Sequence, residues 1–367
     1  MGQVLAQVWD VLTRKVDSFL FGCALAIVGV GVITLFSAAD QSIARVTTQA
    51  TSFGLALALM WFVANIAPQT LARAAVPLYV LGVLLLVGVA LFGTVVNGSR
   101  RWLNLGIARI QPSELMKIAL PLMLAWYFQK FEGRIGWRDF AFAGLLIVVP
   151  VVLIKRQPDL GTSLMIAASG FYVLYLAGLS WKIIVGLTTA GAAAAPLVWT
   201  HLHDYQRERI LTFLDPTRDP LGAGYHSTQA SIALGSGGLV GKGWLNGTQT
   251  HLDFLPEKHT DFIFAVFGEE FGLIGNTFLL LLYLLLVGRA MVITANASTL
   301  FGRLLSGAVT LMFFTYAFVN MAMVSGVLPV VGVPLPLVSY GGTALVSLFI
   351  GLGVLMSVHA HRKLVNT

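Results

Sequence analysis

Apolar residues in this chain do not alternate with polar ones. They come in long blocks broken by short polar or Gly/Pro punctuation. A bilayer core of about 30 Å needs roughly 20 apolar residues per helix. Ten blocks approach that length, near 18–37, 48–66, 74–93, 111–128, 140–154, 163–179, 181–200, 262–288, 304–325 and 338–358. Backbone groups in hydrocarbon must bond within their own segment, so the pattern predicts an all-α polytopic membrane protein. The fifth block is short and the seventh is Ala/Gly-rich. No internal repeat, linker or low-complexity tract divides the chain, which predicts one integral membrane domain over 1–367. A large structured extracytoplasmic loop, 201–261, falls between the seventh and eighth spans.

Composition sharpens this picture. Hydrophobic residues are 57% and charged residues 11% of the chain, against roughly 45–50% and about 25% in soluble domains. A soluble core of this size would need a more polar coat. The net charge of +7 does not indicate nucleic acid, because the basic residues lie between apolar runs, where topology and lipid phosphates account for them. Cys23, the single cysteine, excludes an intramolecular disulfide and a thiolate zinc site. The first apolar block lacks a small-residue cleavage site and reads as a retained anchor, preceded by a cytoplasmic amphipathic segment over 1–16.

Ten spans put both termini on one side. With the N-terminus inside, the cytoplasmic flanks carry eleven Lys and Arg: Arg14, Lys15, Arg73, Lys130, Arg134, Arg138, Lys182, Arg289, Arg303, Arg362 and Lys363. The short outer loops carry six: Arg45, Arg100, Arg101, Arg109, Lys155 and Arg156. The positive-inside rule therefore predicts cytoplasmic termini. Arg100, Arg101 and Arg109 before the fourth span and Lys155 and Arg156 after the fifth oppose that bias, and either an anionic ligand at the outer face or ordinary lipid headgroups would compensate them.

Charges inside the apolar blocks narrow the chemistry. In QPSELMK, Pro112 suits a first helical turn, and Glu114 and Lys117 share one face at i, i+3. A charge at bilayer depth costs roughly 2.5–3.5 kcal/mol, so the pair is expected to face the bundle. It is either a self-neutralising packing pair or the wall of a polar cavity. Asp159, in QPDLGTS, reads on its own segment as a helix cap. His201 and His203 lack a third metal ligand and read as loop residues.

The 201–261 region is too long for an ordinary connection, yet its aromatic and aliphatic content argues against disorder. An amphipathic helix near 225–235 and turns at GSGG and GKG are expected along the outer surface. Arg207, Arg209 and Lys242 add outer cations. GSGGLVGKG lacks the spacing of a Walker phosphate loop. In PEKHTDFIFAVFGEEFG, Asp261 falls where this loop meets the eighth span, with Glu269 and Glu270 a little over two turns further on. A partly desolvated carboxylate there suits a general base. Cations opposite it suit an anionic leaving group. A proton-coupled transporter could use the same carboxylates as a relay.

These segments, GSRRWLNLG, QPSELMK, QPDLGTS, YQRERILTFLDPTRDPLGAGYH, GSGGLVGKG, FLPEKHTDFIFAVFGEEFG and VLPVVGVPLPLVSYGGT, run in one order through most of the chain. Together they resemble the SEDS family (shape, elongation, division and sporulation proteins), its elongation branch more than its division branch. The resemblance implies a peptidoglycan glycosyltransferase that polymerises lipid II. It would work with a class B penicillin-binding protein and other membrane proteins of the elongation complex, in the bacterial inner membrane. It places the family's essential aspartate on Asp261, its cavity Glu and Lys on Glu114 and Lys117, and its loop Arg on Arg101. Asp159 and Lys242 join them as candidate substrate contacts. A divalent cation such as magnesium (Mg) could assist the leaving diphosphate.

In VSYGGT, Gly341 and Gly342 suit either close helix packing or a phosphate at a helix start; packing is the stronger expectation. A lipid II flippase remains the rival reading, as does a division-type polymerase. A transporter, however, needs polar groups along its whole path. A pure scaffold leaves Asp261, Glu114 and Lys117 unexplained.

Overall fold

The structure, a computed structural model, describes residues 15–96, 99–104, 109–157, 159–202, 207–208, 211–213, 215, 223–252, 254–255 and 257–362. Most of the N-terminal segment expected over 1–16, His203 and Arg209 lie outside them. Ten helices of 17 residues or more occupy the ten apolar blocks. They are α1 (Ser18–Ala38), α2 (Ile43–Asn65), α3 (Pro68–Phe92), α4 (Pro112–Lys130), α5 (Trp137–Lys155), α6 (Leu160–Leu176), α7 (Trp181–His201), α10 (Ile263–Ala295), α11 (Leu300–Val324) and α12 (Gly342–Ala360). Seven of these, all but α4, α6 and α7, are long and apolar enough to cross a membrane by themselves. The outer faces of the bundle stay greasy: Leu84 of α3 and Leu187 of α7 are each 62% exposed, as a hydrocarbon surround requires. The chain is a multi-pass membrane protein.

Local chemistry starts the helices where the sequence marks them. Asp17 caps α1 through the Leu20 amide at 2.8 Å, and Pro112 opens α4 as its first residue. The helices meet in one buried core that gathers Leu20, Phe128, Phe301 and Phe349. At one end of the bundle Arg289 of α10 grips Asp17 through Nη2 at 2.5 Å, with His359 of α12 3.5 Å away. The other end carries the polar loops.

There the structure adds something to the all-helical expectation. The α3–α4 connection folds into a three-stranded antiparallel sheet, β1 (Thr94–Val96), β2 (Ser99–Asn104) and β3 (Arg109–Ile110), in the order β1-β2-β3. Its Arg-rich stretch carries no strand signal in the sequence, because six residues show too little periodicity to mark one. The long connection before α10 contributes α8 (Ala223–Ser236), where an amphipathic helix was expected, and the single turn α9 (Thr248–His251).

The eighth apolar block behaves differently from expectation. At 33 residues α10 would measure about 50 Å as a straight helix, longer than a bilayer core. It breaks at Gly272, with φ +64° and ψ −162°. The GSGGLVGKG segment fills that break. Its Lys242 and Gly243 amides donate to the Glu269 and Glu270 carbonyls, at 3.0 Å each. The Leu273 and Ile274 amides donate back to the Gly238 and Leu239 carbonyls at 3.0 and 3.1 Å. Four backbone groups freed by the break are thus satisfied. The approach is so close that a Cβ on Gly241 would sit 2.1 Å from the Glu270 carbonyl oxygen. The glycines serve backbone contact. The portion after the break, 273–295, is about 35 Å long and suffices to span. Glu269 and Glu270 therefore belong to the short piece before it.

Candidate active site

Three elements bring the predicted ionic residues together at the loop-bearing end. Glu114 and Lys117 stand in the first two turns of α4, Asp159 precedes α6, and Arg101 projects from β2. Lys117 Nζ lies 2.7 Å from Glu114 Oε1, the lysine buried and the glutamate largely so. The second oxygen, Glu114 Oε2, accepts from the Ser347 hydroxyl of α12 at 2.6 Å. The Tyr316 ring of α11 lies under the ammonium, 5.0 Å from Nζ to the ring centre, a contact that favours the cation. Asp159 does two things. It caps α6 through the Thr162 amide at 3.1 Å and pairs with Arg101 Nε at 3.4 Å.

These groups surround a space. A cavity of ≈ 140 Å³ is lined by Arg101, Gln111, Glu114, Lys117, Asp159 and Tyr316, with Gly332, Val333 and Pro334 as its far wall. A water molecule takes about 30 Å³, so the Glu114–Lys117 pair borders a volume that a ligand group could enter. The 331–334 wall comes so near because the second residue of α6 is a glycine: a Cβ on Gly161 would sit 2.4 Å from the Val331 carbonyl oxygen.

Asp261 approaches from the turn 257–262, immediately before α10. Its side chain is half-buried, and its Oδ2 would lie 3.3 Å from a Cβ on Gly332. The carboxylate rests against the backbone of the same wall that closes the cavity. The preceding His259 imidazole is held below its ordinary pKa, first by burial and then by the charge of Arg45. Among the described residues no group of three His, Cys, Asp or Glu side chains is set to hold a metal ion.

The other candidates fall elsewhere. Lys242 Nζ is 2.7 Å from Glu269 Oε1, and Glu269 also accepts from the Thr248 and Thr250 hydroxyls and the Gln249 and Thr250 amides. Lys242 therefore fastens the 242–250 segment to α10, away from the cavity lining. Glu270 accepts from the Ser37 hydroxyl of α1. His201 ends α7. Gly342 approaches α2, where a Cβ on it would stand 2.7 Å from Ser52 Oγ. Tyr316, Ser347 and Gly332 were missed by sequence reasoning. Tyr316 and Asn320, polar at i, i+4 within an apolar helix, gave a usable signal. A lone Ser347 gave none.

Fold and site together define a polytopic membrane protein with an ion-lined cavity at one end of its helical bundle and a carboxylate, outside the lining itself, next to the lining residue Gly332. Comparison with known proteins makes this specific. The FtsW/RodA/SpoVE profile of cell cycle proteins matches residues 15–364, and the chain belongs to that family. It is 48% identical over 359 residues to the peptidoglycan glycosyltransferase MrdB of Escherichia coli K12, covering 98% of this chain and 96% of that one. Among solved structures, a chain of a peptidoglycan synthase complex that coordinates polymerization and crosslinking superposes with a TM-score of 0.83 at 34% identity, covering 95% and 99% of the two chains. The rod shape determining protein RodA of Thermus thermophilus superposes with a TM-score of 0.72 at 32% identity, covering 95% and 98%.

Proposed function

We propose that this protein is an elongation-type peptidoglycan glycosyltransferase that joins lipid II units into β-1,4 glycan at the outer face of the bacterial inner membrane, with both termini cytoplasmic. The observation that carries the reading is the convergence of Arg101, Lys117, Glu114 and Asp159 on one cavity whose wall backs the Asp261 carboxylate. The charged lining sits at one end of the bundle. At the opposite end the buried Asp17 is closed by Arg289 and His359, which favours a one-sided reaction site over a transport path.

The chemistry follows from the charges. Asp261 takes the proton from the 4-hydroxyl of an acceptor GlcNAc. The oxygen forms a bond to the anomeric carbon of a lipid-linked donor, and the carbon–phosphate oxygen bond breaks with its electron pair. Because the donor linkage is α and the product β, direct displacement inverts that carbon. General-base assistance is typically worth 10²–10⁴-fold. The departing diphosphate is a strong anion that needs positive charge more than a proton, and Arg101 and Lys117 supply it. Glu114, both oxygens engaged by Lys117 and Ser347, holds the ammonium in place and does not take the substrate proton. Asp159 does the same for Arg101. Anchoring both sugars at one membrane surface removes much of the orientational penalty. The partners are a class B penicillin-binding protein for crosslinking and other elongation-complex membrane proteins.

The test uses purified protein with its penicillin-binding partner and fluorescent lipid II. Asp261→Asn is expected to slow polymer formation by about 10²–10⁴-fold while leaving folding and partner binding intact. Polymer at the wild-type rate from that variant would overturn the assignment.

A further inference from the structure

We infer that Asn320, with Ser339 beside it, is a positioning residue that sets where the Asp261 carboxylate sits. The inference rests on the role proposed for Asp261. Three successive carbonyls of the 257–262 turn are each held by a different donor. The His259 carbonyl accepts from the Tyr340 amide at 2.9 Å, that of Thr260 from the Ser339 hydroxyl at 2.6 Å, and that of Asp261 from Asn320 Nδ2 at 2.8 Å. Turns at a membrane surface ordinarily leave such carbonyls to water. Here α11 and the loop before α12 take all three.

Asn320 does more than fill a gap. It is fully buried, and its Nδ2 also donates to the Val333 carbonyl at 2.7 Å. One amide therefore joins the backbone of Asp261 to the residue after Gly332, against which the Asp261 carboxylate rests. Two carbonyls at hydrogen-bond distance fix which way the amide faces, since only its NH₂ can donate. The hydroxyl of Ser339 makes a second tie of the same kind, accepting from the Leu335 amide at 2.8 Å while donating to Thr260. Base and cavity wall are thus fastened by buried groups that never reach the cavity. A catalytic group displaced by about 1 Å can lose on the order of 10²-fold in rate.

Asn320→Asp keeps the shape and removes at least one of the two donations, so kcat for lipid II polymerisation is expected to fall 10- to 100-fold, with KM changed less than threefold. The same substitution placed on Asp261→Asn should lower the residual rate by less than twofold, because a residue acting through Asp261 has nothing left to position. Ser339→Ala should lower kcat about tenfold, and Ser339→Thr, which keeps the hydroxyl, should recover at least half of the rate. That pair decides the matter if Asn320→Asp does not fold. Wild-type kcat in a folded Asn320→Asp, a full additional loss on the Asp261→Asn background, or no difference between the two Ser339 variants would each overturn the inference. The Asp261→Asn control separates the outcomes. If it polymerises normally, the general-base reading fails; if it is slowed at least 10²-fold while folded Asn320→Asp turns over normally, only the positioning role fails.

Discussion

Lys117→Met separates a structural ion pair from one that serves the reaction. The Lys117 and Glu114 side chains are 8% and 13% exposed, so removing the ammonium strands a buried carboxylate. Breaking a buried pair this way costs about 3–5 kcal/mol. The Ser347 hydroxyl still donates to Glu114 Oε2 at 2.6 Å, which puts the expected loss near the lower end, about 3 kcal/mol. Glycan synthesis should fall by about 10²–10³-fold, the effect of deleting one group that stabilises developing charge. The double variant Glu114→Gln with Lys117→Met removes the stranded charge. Its thermal stability in detergent micelles should return to within about 1 kcal/mol of wild type, while polymerisation of fluorescent lipid II stays down. If activity returns along with stability, the pair is packing alone and the assignment of Lys117 to the leaving diphosphate is refuted.

Three further outcomes are expected. The His259 imidazole has a lowered pKa in the folded protein, so the unfolded chain binds the extra proton. Stability is full above the unfolded value of about 6.5 and declines as pH falls from there toward the folded value. His259→Gln should flatten the change in unfolding midpoint between pH 7.5 and 5.5, and an unchanged slope would place its origin elsewhere. A Cβ on Gly353 would stand 2.6 Å from the Met60 carbonyl oxygen, so Gly353→Ala should push α12 from α2 and cost about 1–3 kcal/mol by thermal unfolding. Glu269→Leu removes the acceptor shared by Lys242, Thr248, Gln249 and Thr250. Amide hydrogen exchange over 242–252 should speed at least tenfold while α2 and α12 stay protected.

Much of this was legible from the chain alone, for identifiable reasons. Hydrocarbon tolerates only helices with internally paired backbones, so ten apolar blocks became ten helices. Burying a charge is expensive, so Glu114, Lys117 and Asp261 announced themselves as residues with a purpose. Pro112 and Asp159 marked helix starts because their local bonding is set within a few residues.

What needed the tertiary structure is everything that depends on distant segments meeting. Asp159 looks like a helix cap until β2 brings Arg101 to 3.4 Å. The Glu114–Lys117 pair could have closed on itself; a cavity beside it exists because the 331–334 loop passes over Gly161 and stops short. GSGGLVGKG reads as a turn, and only the break in α10 at Gly272 gives its amides something to bond. Ser339 and Asn320 lie 78 and 59 residues from Asp261, yet they hold its turn. Local order is written by periodicity and by the desolvation of single residues, which a sequence displays. A site is written by three-dimensional proximity, which depends on how close backbones can pack, and no linear pattern records it.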